Sequence, residues 1–506
     1  MRKRALISVN VHPGLEDLSL RLSRAGWEIV STKDACDFLR SKKIPVVQVE
    51  DFVDFRYDLN FPATLHPLIE KALTQDSDQR IDLVYDIPYS LSAGNDVGGL
   101  ALLALAVKGN RIPVMHLSDM ERVVSLLEKK GKVPHDVVHE LQVQANLAIS
   151  AHYLKIVNNS EDVQVLQGVK KYQLSNGENP YQSPAYLYSI ADHDPLGLGA
   201  FKQIHGESPC FTNLADFDAI LETISRLYSC LVLNSVEKPF ICVAAKHGNP
   251  CGIGVSRNDP LKALACALWG NPRAIWGGEL IVNFTITPDL AKVMKNSLHR
   301  KKEYGSGSWM LDLIACPQIN PAALEVLSAN TNRKIFINPS LREPFLRHHK
   351  QSLRMVRCGF LSQPYADYIL DLHSLRWVVP LKDYRRVIDI AIAWAACYTS
   401  NLGGNEVALA KDAALLSIGG GPSTFDAASI ALARASSNAH NPRRAVFAAD
   451  AFFPFLDAVQ LLCKSGVLAG VVPEGGKREN LVEKYFIDNR IQVGFIPKEF
   501  RGFCRH

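Results

Sequence analysis

Two hydrophobic periods trade places along the first 160 residues. Short β-rich runs at Ala5 to Val9, Glu28 to Ser31, Pro45 to Val49, Ile81 to Tyr85 and Ile112 to Leu117 alternate with helical patterns. The helices start at Gly14 and at Asp34 and cover Asp96 to Lys108. This succession predicts an α/β domain with a parallel sheet between helices, a design that binds ligands at the carboxyl ends of its strands. His135 to Val157 predicts a further helix with no strand behind it, closing the domain. Asn158, Asn159, Ser160 and Glu161 form a polar break, and Ser175 to Pro180 a turn, so a boundary falls between them.

Beyond the boundary, apolar β runs such as Phe240 to Ala245 and Glu279 to Asn283 interleave with helices such as Ala215 to Leu231 and Asp383 to Cys397. The polar stretch from His299 to Ser308 reads as a solvated loop. No internal repeat with a period of about 20 to 50 residues stands out. At 506 residues the chain has room for three domains, and 47% hydrophobic composition suffices to bury their cores. The divisions expected are 1–160, 166–345 and 346–506.

Charge and cysteine usage narrow the function classes. Lys and Arg total 56 against 51 acidic residues, a net +5 that is spread thinly, unlike the basic stripe of a nucleic-acid binder. Small anionic ligands fit this balance better than DNA. No run reaches the roughly 18 apolar residues of a membrane span, and the first ten residues lack the apolar core of a signal peptide, so a cytoplasmic protein without membrane partners is expected. Eleven cysteines are scattered without a Cys-x-x-Cys pair, which points to reduced thiols.

Three stretches could carry chemistry. In Ala244-Ala245-Lys246-His247-Gly248-Asn249-Pro250-Cys251-Gly252 a β run ends in a turn that presents a fixed cation beside a group titrating near neutrality, suited to proton transfer with charge stabilisation. Two solvated turn residues are the plainer reading. Leu416 to Thr424 carries Gly419-Gly420-Gly421 ahead of a helix, where free backbone N–H groups can bind an anion, although a tight turn explains it equally. Gly475-Gly476-Lys477-Arg478 is open to the same two readings. Asp450-Ala451-Phe452-Phe453-Pro454-Phe455-Leu456-Asp457 sets three aromatics between carboxylates, either core filler or a stacking wall for a flat heterocycle. His205-Gly206-Glu207 with Pro209-Cys210, or with Pro250-Cys251, imitates a zinc deaminase. The second cysteine such a site needs is Asn213 or Gly254 instead, which excludes that chemistry and leaves no metal expected.

In this order the pieces resemble the bifunctional family that joins AICAR transformylase to IMP cyclohydrolase. Its Lys-His-x-Asn-Pro-Cys-Gly block is Lys246 to Gly252, its aromatic-Gly-Gly segment is Trp276-Gly277-Gly278, and its Asp-Ala-Phe-Phe-Pro-Phe block is Asp450 to Phe455. Leu174 to Gln182 is similar to its Asn-Pro turn, and the chain ends in the family's Arg505-His506. The resemblance implies a methylglyoxal-synthase-like N-terminal domain, followed by two zinc-free cytidine-deaminase-like αβα subdomains. It also implies a homodimer with interface active sites, and AICAR and formyl-tetrahydrofolate as substrate and co-substrate. Carried over residue by residue, His247 moves the amine proton, Lys246 stabilises the tetrahedral intermediate and Asn405 is the active-site asparagine. Gly277, Asp312, Phe452, Arg501 and Asn213 would hold the nucleotide. Trp276, Asp426, Asp457, Gly476 and Lys477 would line the folate site.

The chain departs from the family where phosphate sits. An Arg-Tyr pair has become Ser175-Asn176, and a Ser-Arg pair Thr424-Phe425, which removes two guanidinium forks. Lys171 or Arg501 could stand in for one. In the N-terminal domain the phosphate turns read Asn10-Val11-His12-Pro13-Gly14 and Ser31-Thr32-Lys33-Asp34-Ala35, and an Arg and a Lys are lost from Phe61-Pro62-Ala63-Thr64-Leu65-His66-Pro67. Asp96, Gly98, Tyr89 and the proton-transferring Lys108 are retained. A transformylase with a degenerate cyclohydrolase domain is therefore expected. The alternatives are the same chemistry on another aminoheterocycle, or an inactive nucleotide-binding relative.

Overall fold

A computed structural model describes residues 3–54, 63–157, 162–190, 194–346, 351–381, 383 and 386–503. Phe61, Pro62, the polar break Asn158 to Glu161, Cys504, Arg505 and His506 lie outside these. The chain divides into two compact units, Met1–Gln167 and Gly168–His506.

The first unit is an α/β layer. Five strands, all parallel, run in the order 47–48, 28–31, 4–8, 83–86, 112–114. The chain builds outward from 4–8 in one direction, then returns to build from 83–86 in the other, so the order reverses between these two central strands. Alternation along the strands feeds two cores. Ala5 and Ile7 pack on one face with Leu15 and Leu22, and Leu6 on the other with Ile69 and Leu102. Helices cover both faces, as a wholly parallel sheet requires. The helix His135–Val157 closes the unit by setting Ala145 against Leu103 and Met115.

The second unit holds one mixed sheet of twelve strands. Their order is 376–377, 492–496, 469–473, 446–449, 405–411, 414–421, 249–256, 240–246, 279–282, 313–316, 334–337, 202–205. The order is that of a repeat. In each half a long helix (Phe211–Leu233, Arg386–Thr399) precedes a β-hairpin (240–246 with 249–256, 405–411 with 414–421). Three helix–strand steps follow in each half. The halves join where strands 249–256 and 414–421 pair antiparallel at Gly254 and Ala414. This period is far longer than the roughly 20 to 50 residues of a short repeat, and no such short repeat stands out in the sequence. The two long helices lie side by side in a core shared by both halves, with Ile220, Leu227, Trp394 and Ala408 in one cluster. The outer faces carry a separate core each.

Two expectations need correction. Residues 299–308 are not a solvated loop. Leu298–Tyr304 is a helix capped by Ser297, and Arg300 is buried, with its guanidinium donating to the carbonyls of Ser306 (2.7 Å) and Pro272 (3.2 Å) and lying over Trp309. The run of charge hid one inward cation. The glycines 419–421 are not a loop with free N–H groups either, because they continue strand Ala414–Gly421 and pair with Asn405, Glu406 and Val407. A Cβ on Gly419 would stand 2.1 Å from the Ala427 carbonyl and 2.2 Å from the Ala431 nitrogen, so the glycine lets helix Thr424–Ser437 lie against the strand. Ser423 caps that helix.

Candidate active site

The hairpin between strands Phe240–Lys246 and Asn249–Ser256 turns on His247 and Gly248, with φ of 53° and 68°. Two successive left-handed residues make the tight turn that suits the twist of a hairpin. Lys246 is half-buried as the strand ends, and His247 is exposed at the tip. The Lys246 ammonium donates to the carbonyl of Trp276 at 2.6 Å, and a Cβ on Gly277 would come within 3.0 Å of it. Gly277 itself has φ 74°. Here glycine serves twice, in its backbone angle and in leaving room for the lysine head.

Beside this turn lie the starts of strands 279–282, 313–316 and 334–337 and the N-terminus of helix Phe211–Leu233. Asn213, in that first helical turn, donates to Asp312 Oδ2 at 2.8 Å. Lys334 donates to both Asp312 oxygens, at 3.0 and 3.2 Å. Asp312 is thus held between an amide and an ammonium. Glu279, the first residue of its strand, is only 3% exposed, and its Oε2 has no hydrogen-bond partner among the described residues. Burial, then the nearby charges of Asp216 and Asp312, push its carboxyl up to about 8, against the opposing pull of Lys246 and a hydrogen bond with Asn213. Glu279 and Lys334 were missed as site residues in the sequence. A glutamate opening an otherwise apolar strand was the available signal.

Ser175 and Asn176 dock beside the same helix terminus. Phe211 N–H donates to the Asn176 carbonyl at 3.0 Å, and Ser175 N–H to that of Pro209 at 3.1 Å. Their side chains are spent locally, Ser175 on Asn176 and Asn176 on the Gly177 carbonyl. Neither replaces a guanidinium. Lys171 points its stem at Gly199.

The second half brings residues to the same edge of the sheet. Strand 405–411 begins there, and 414–421, 446–449, 469–473 and 492–496 end there, as follows from their pairing. Asn405 donates to the carbonyls of Gly421 (3.2 Å) and Pro422 (3.1 Å). Asp450 Oδ1 accepts from Glu406 N–H at 2.8 Å, while Oδ2 has no partner among the described residues. Burial and the neighbouring Glu406 carboxyl hold Asp450 well above the usual carboxylate range. Phe452 is half-buried, with Arg501 over its ring at 5.8 Å and Gly476 packed against it. Phe453 is buried and Phe455 exposed, so this aromatic run serves both core and surface.

The two groups meet through Asn249, which accepts a hydrogen bond from Asn401 N–H at 2.8 Å. Leu402 then lines a cavity of about 230 Å³ together with Lys246, His247, Asn271, Arg434 and Asn438.

The remaining expected residues are more dispersed. Trp276 is half exposed. Asp426 accepts from the Ser423 hydroxyl at 2.7 Å in the first turn of its helix. Asp457 and Lys477 are exposed. Among the described residues no three His, Cys, Asp or Glu side chains form a set that could hold a metal ion, and no helix is long and apolar enough to cross a membrane.

In the first unit Lys108 lies apart from the strand ends that would hold a ligand. It closes helix Val97–Lys108, is 64% exposed and pairs with Glu70 at 3.3 Å. Asp96 caps the other end of that helix through Gly99 N–H (2.8 Å), about 18 Å away at the rise of an α-helix. At the reversal point of the sheet, burial pushes the Asp86 carboxyl to about 7, with a hydrogen bond from Ser8 opposing and the charge of Asp96 adding to it. His12 Nε2 meets the Tyr85 hydroxyl at 3.1 Å.

Comparison with known proteins matches the sequence to one family. The AICARFT/IMPCHase bienzyme family matches residues 110–434, well over half of the chain. Similar curated proteins carry the name bifunctional purine biosynthesis protein PurH. That of Anoxybacillus flavithermus is 28% identical over 523 residues, covering 95% of each chain. That of Lactococcus lactis subsp. lactis is 29% identical over 527 residues, covering 95% of this chain and 96% of its own. That of Bacteroides thetaiotaomicron is 28% identical over 518, covering 96% and 95%. A solved structure titled ForH covers 30% of this chain and 95% of its own at 24% identity, with a TM-score of 0.27, too loose to carry an argument. The chain belongs to the AICARFT/IMPCHase bienzyme family.

Proposed function

We propose that this enzyme transfers the formyl group of formyl-tetrahydrofolate to the arylamine of AICAR in purine biosynthesis, and that it works as a homodimer. The observation that carries the reading is the Lys246–His247 turn, facing a cavity on the sheet edge where Asn405, Phe452 and Arg501 also lie. An arylamine is a poor nucleophile, so its proton must leave as the new carbon–nitrogen bond forms. His247, exposed at the turn, takes that proton. The Lys246 ammonium faces the oxyanion that develops on the formyl oxygen. Collapse of the intermediate breaks the bond between the formyl carbon and the folate nitrogen, which leaves with a proton. Asn405 orients the amine. Gly277, Asp312, Asn213, Phe452 and Arg501 hold the nucleotide, with Arg501 supplying a phosphate fork. Trp276, Asp426, Asp457, Gly476 and Lys477 line the folate side. In this reading the first unit is methylglyoxal-synthase-like, and the two repeats are cytidine-deaminase-like units working without zinc.

Ring closure to IMP is assigned no residue here, because Lys108 is spent on a surface ion pair far from Asp96. Purified protein mixed with formyl-tetrahydrofolate and AICAR should release tetrahydrofolate and accumulate formylated AICAR, identified by mass spectrometry. IMP as the product would refute the loss of ring closure. Absence of turnover with AICAR would refute the substrate. A second reading, the same chemistry on an unphosphorylated aminoheterocycle, is favoured by Ser175 and Asn176, whose side chains bond only locally. Turnover of the dephosphorylated nucleoside but not of AICAR would select it.

A further inference from the structure

The cavity before the Lys246–His247 turn has two cationic ends, one from each repeat. The first is the turn itself, where strand 240–246 finishes. The second is Arg434, in the last turn of helix Thr424–Ser437. Strand 249–256 lies between strands 240–246 and 414–421, so two strand spacings, about 10 Å, separate the ends. A basic residue at a helix C-terminus ordinarily serves the helix dipole. Arg434 does more, because its Nη1 donates to the Ile418 carbonyl at 2.7 Å, which lays the guanidinium against the cavity wall. Among the described residues no carboxylate pairs with it, and the fork formed by Nε and Nη2 is left unused.

The other polar groups of the wall add donors and no negative charge. The Asn271 side-chain oxygen accepts from Ala274 N–H at 3.0 Å, so its NH2 group is what remains to face a ligand. Asn249 is spent between the His247 carbonyl and Asn401 N–H, and Ser417 on the Ala431 carbonyl at 2.7 Å. Asn438 lines the cavity with a side chain that has no partner among the described residues, and neither Asp nor Glu is among the lining residues. Between the two ends the wall is apolar, made by the buried Pro250, Leu415 and Ile418. A cavity of about 230 Å³ exceeds the roughly 150 Å³ that encloses a benzene molecule, so an aromatic ring and a carboxylate fit in it together.

We infer that Arg434, with the amides of Asn271 and Asn438, is a carboxylate subsite for the formyl donor: the aminobenzoyl ring of formyl-tetrahydrofolate lies on Pro250, Leu415 and Ile418, and a carboxylate of its glutamate takes the Arg434 fork. The inference rests on formyl-tetrahydrofolate being the donor, as proposed above. In that compound a para-substituted ring joins the formyl-bearing nitrogen to one glutamate residue, which in extended form covers a distance of about 10 Å. A ribose phosphate suits this wall less well, because its hydroxyls would face Pro250, Leu415 and Ile418 without hydrogen-bond partners.

Arg434→Met keeps an apolar stem and removes the fork. Steady-state kinetics should show KM for formyl-tetrahydrofolate raised about ten- to a hundredfold, the span of a hydrogen bond to a charged group, with kcat and KM for AICAR within about twofold of wild type. Arg434→Lys, a point charge without the fork, should recover part of the loss. Asn438→Ala, whose side chain bonds nothing in the fold, should raise the same KM about threefold and serves if Arg434→Met does not fold. A rise in KM for AICAR alone would assign the fork to the nucleotide phosphate and overturn the inference. Unchanged kinetics in a folded variant, or a fall in kcat with both KM values unchanged, would overturn it as well.

A readout without turnover separates this subsite from the reaction assigned above. Binding of p-aminobenzoyl-glutamate alone, followed by saturation-transfer NMR, should be displaced by formyl-tetrahydrofolate and be at least about tenfold tighter in wild type than in Arg434→Met. Equal affinity in the two proteins, or no binding to wild type, would sink the subsite. Arg434-dependent binding by an enzyme that does not turn over AICAR would support the subsite and sink only the choice of formyl acceptor.

Discussion

His247 combines a chemical and a conformational demand. At φ 53° most side chains are strained, and asparagine is among the few that tolerate the left-handed region. His247→Asn is therefore the cleaner variant for isolating the chemistry. It should fold with an unchanged circular dichroism spectrum and lose at least about a hundredfold in kcat, within the range general acid–base catalysis contributes. A folded variant with near-wild-type kcat would remove His247 from the proton-transfer role. The Lys-His pair was visible in the sequence because both residues are adjacent and bounded by turn formers. Glu279 was not, because a buried glutamate and a solvated one share the same letter, and only the tertiary structure leaves this one 3% exposed.

The hairpins, at the scale of elements, show how one backbone plan serves two ends. The turn at Asp412 and Ala413, with φ of 56° and 63°, matches that at His247 and Gly248, yet it carries no lysine-histidine pair facing a cavity. The residues after strands 279–282 and 446–449 match likewise. Asn283 accepts from Ile241 N–H (2.7 Å) and donates to the Pro239 carbonyl (2.8 Å), whereas Asp450 accepts from Glu406 N–H through one oxygen, and its other oxygen is buried beside the Glu406 carboxyl. The first is structural and the second lies at the candidate site. The glycine run belongs to this scale too. Gly419→Ala should lower the denaturant midpoint by an amount equivalent to about 1–3 kcal/mol, the usual range for overpacking, because the new methyl meets helix backbone. Were the run a phosphate cradle instead, KM for the nucleotide would rise with stability unchanged.

Across the whole molecule, the second unit is one folding entity built from two repeats. Its central core mixes helix 211–233 with helix 386–399, and strand 249–256 has a neighbour from each half. Residues 168–345 alone would bare that strand's edge and one side of the long helix, an arrangement prone to aggregate. Such a fragment should show no cooperative thermal transition by circular dichroism and little amide protection in hydrogen exchange. A sharp two-state melt would establish the first repeat as an independent domain.

The sequence by itself determined the alternation of strands and helices, the parallel character of the N-terminal sheet, a break between residues 161 and 175 and the motifs that mark the family. These are local quantities, set by hydrophobic period, turn chemistry and residue order. Only the tertiary structure decided that the two halves share one sheet. It also turned the glycine run into a packing surface, buried Arg300 inside a charged stretch, set Asp96 and Lys108 at opposite ends of one helix and buried Glu279 at the head of its strand. Each of these depends on which side chains distant in the chain come to lie within a few ångströms, and a linear pattern carries no measure of that distance.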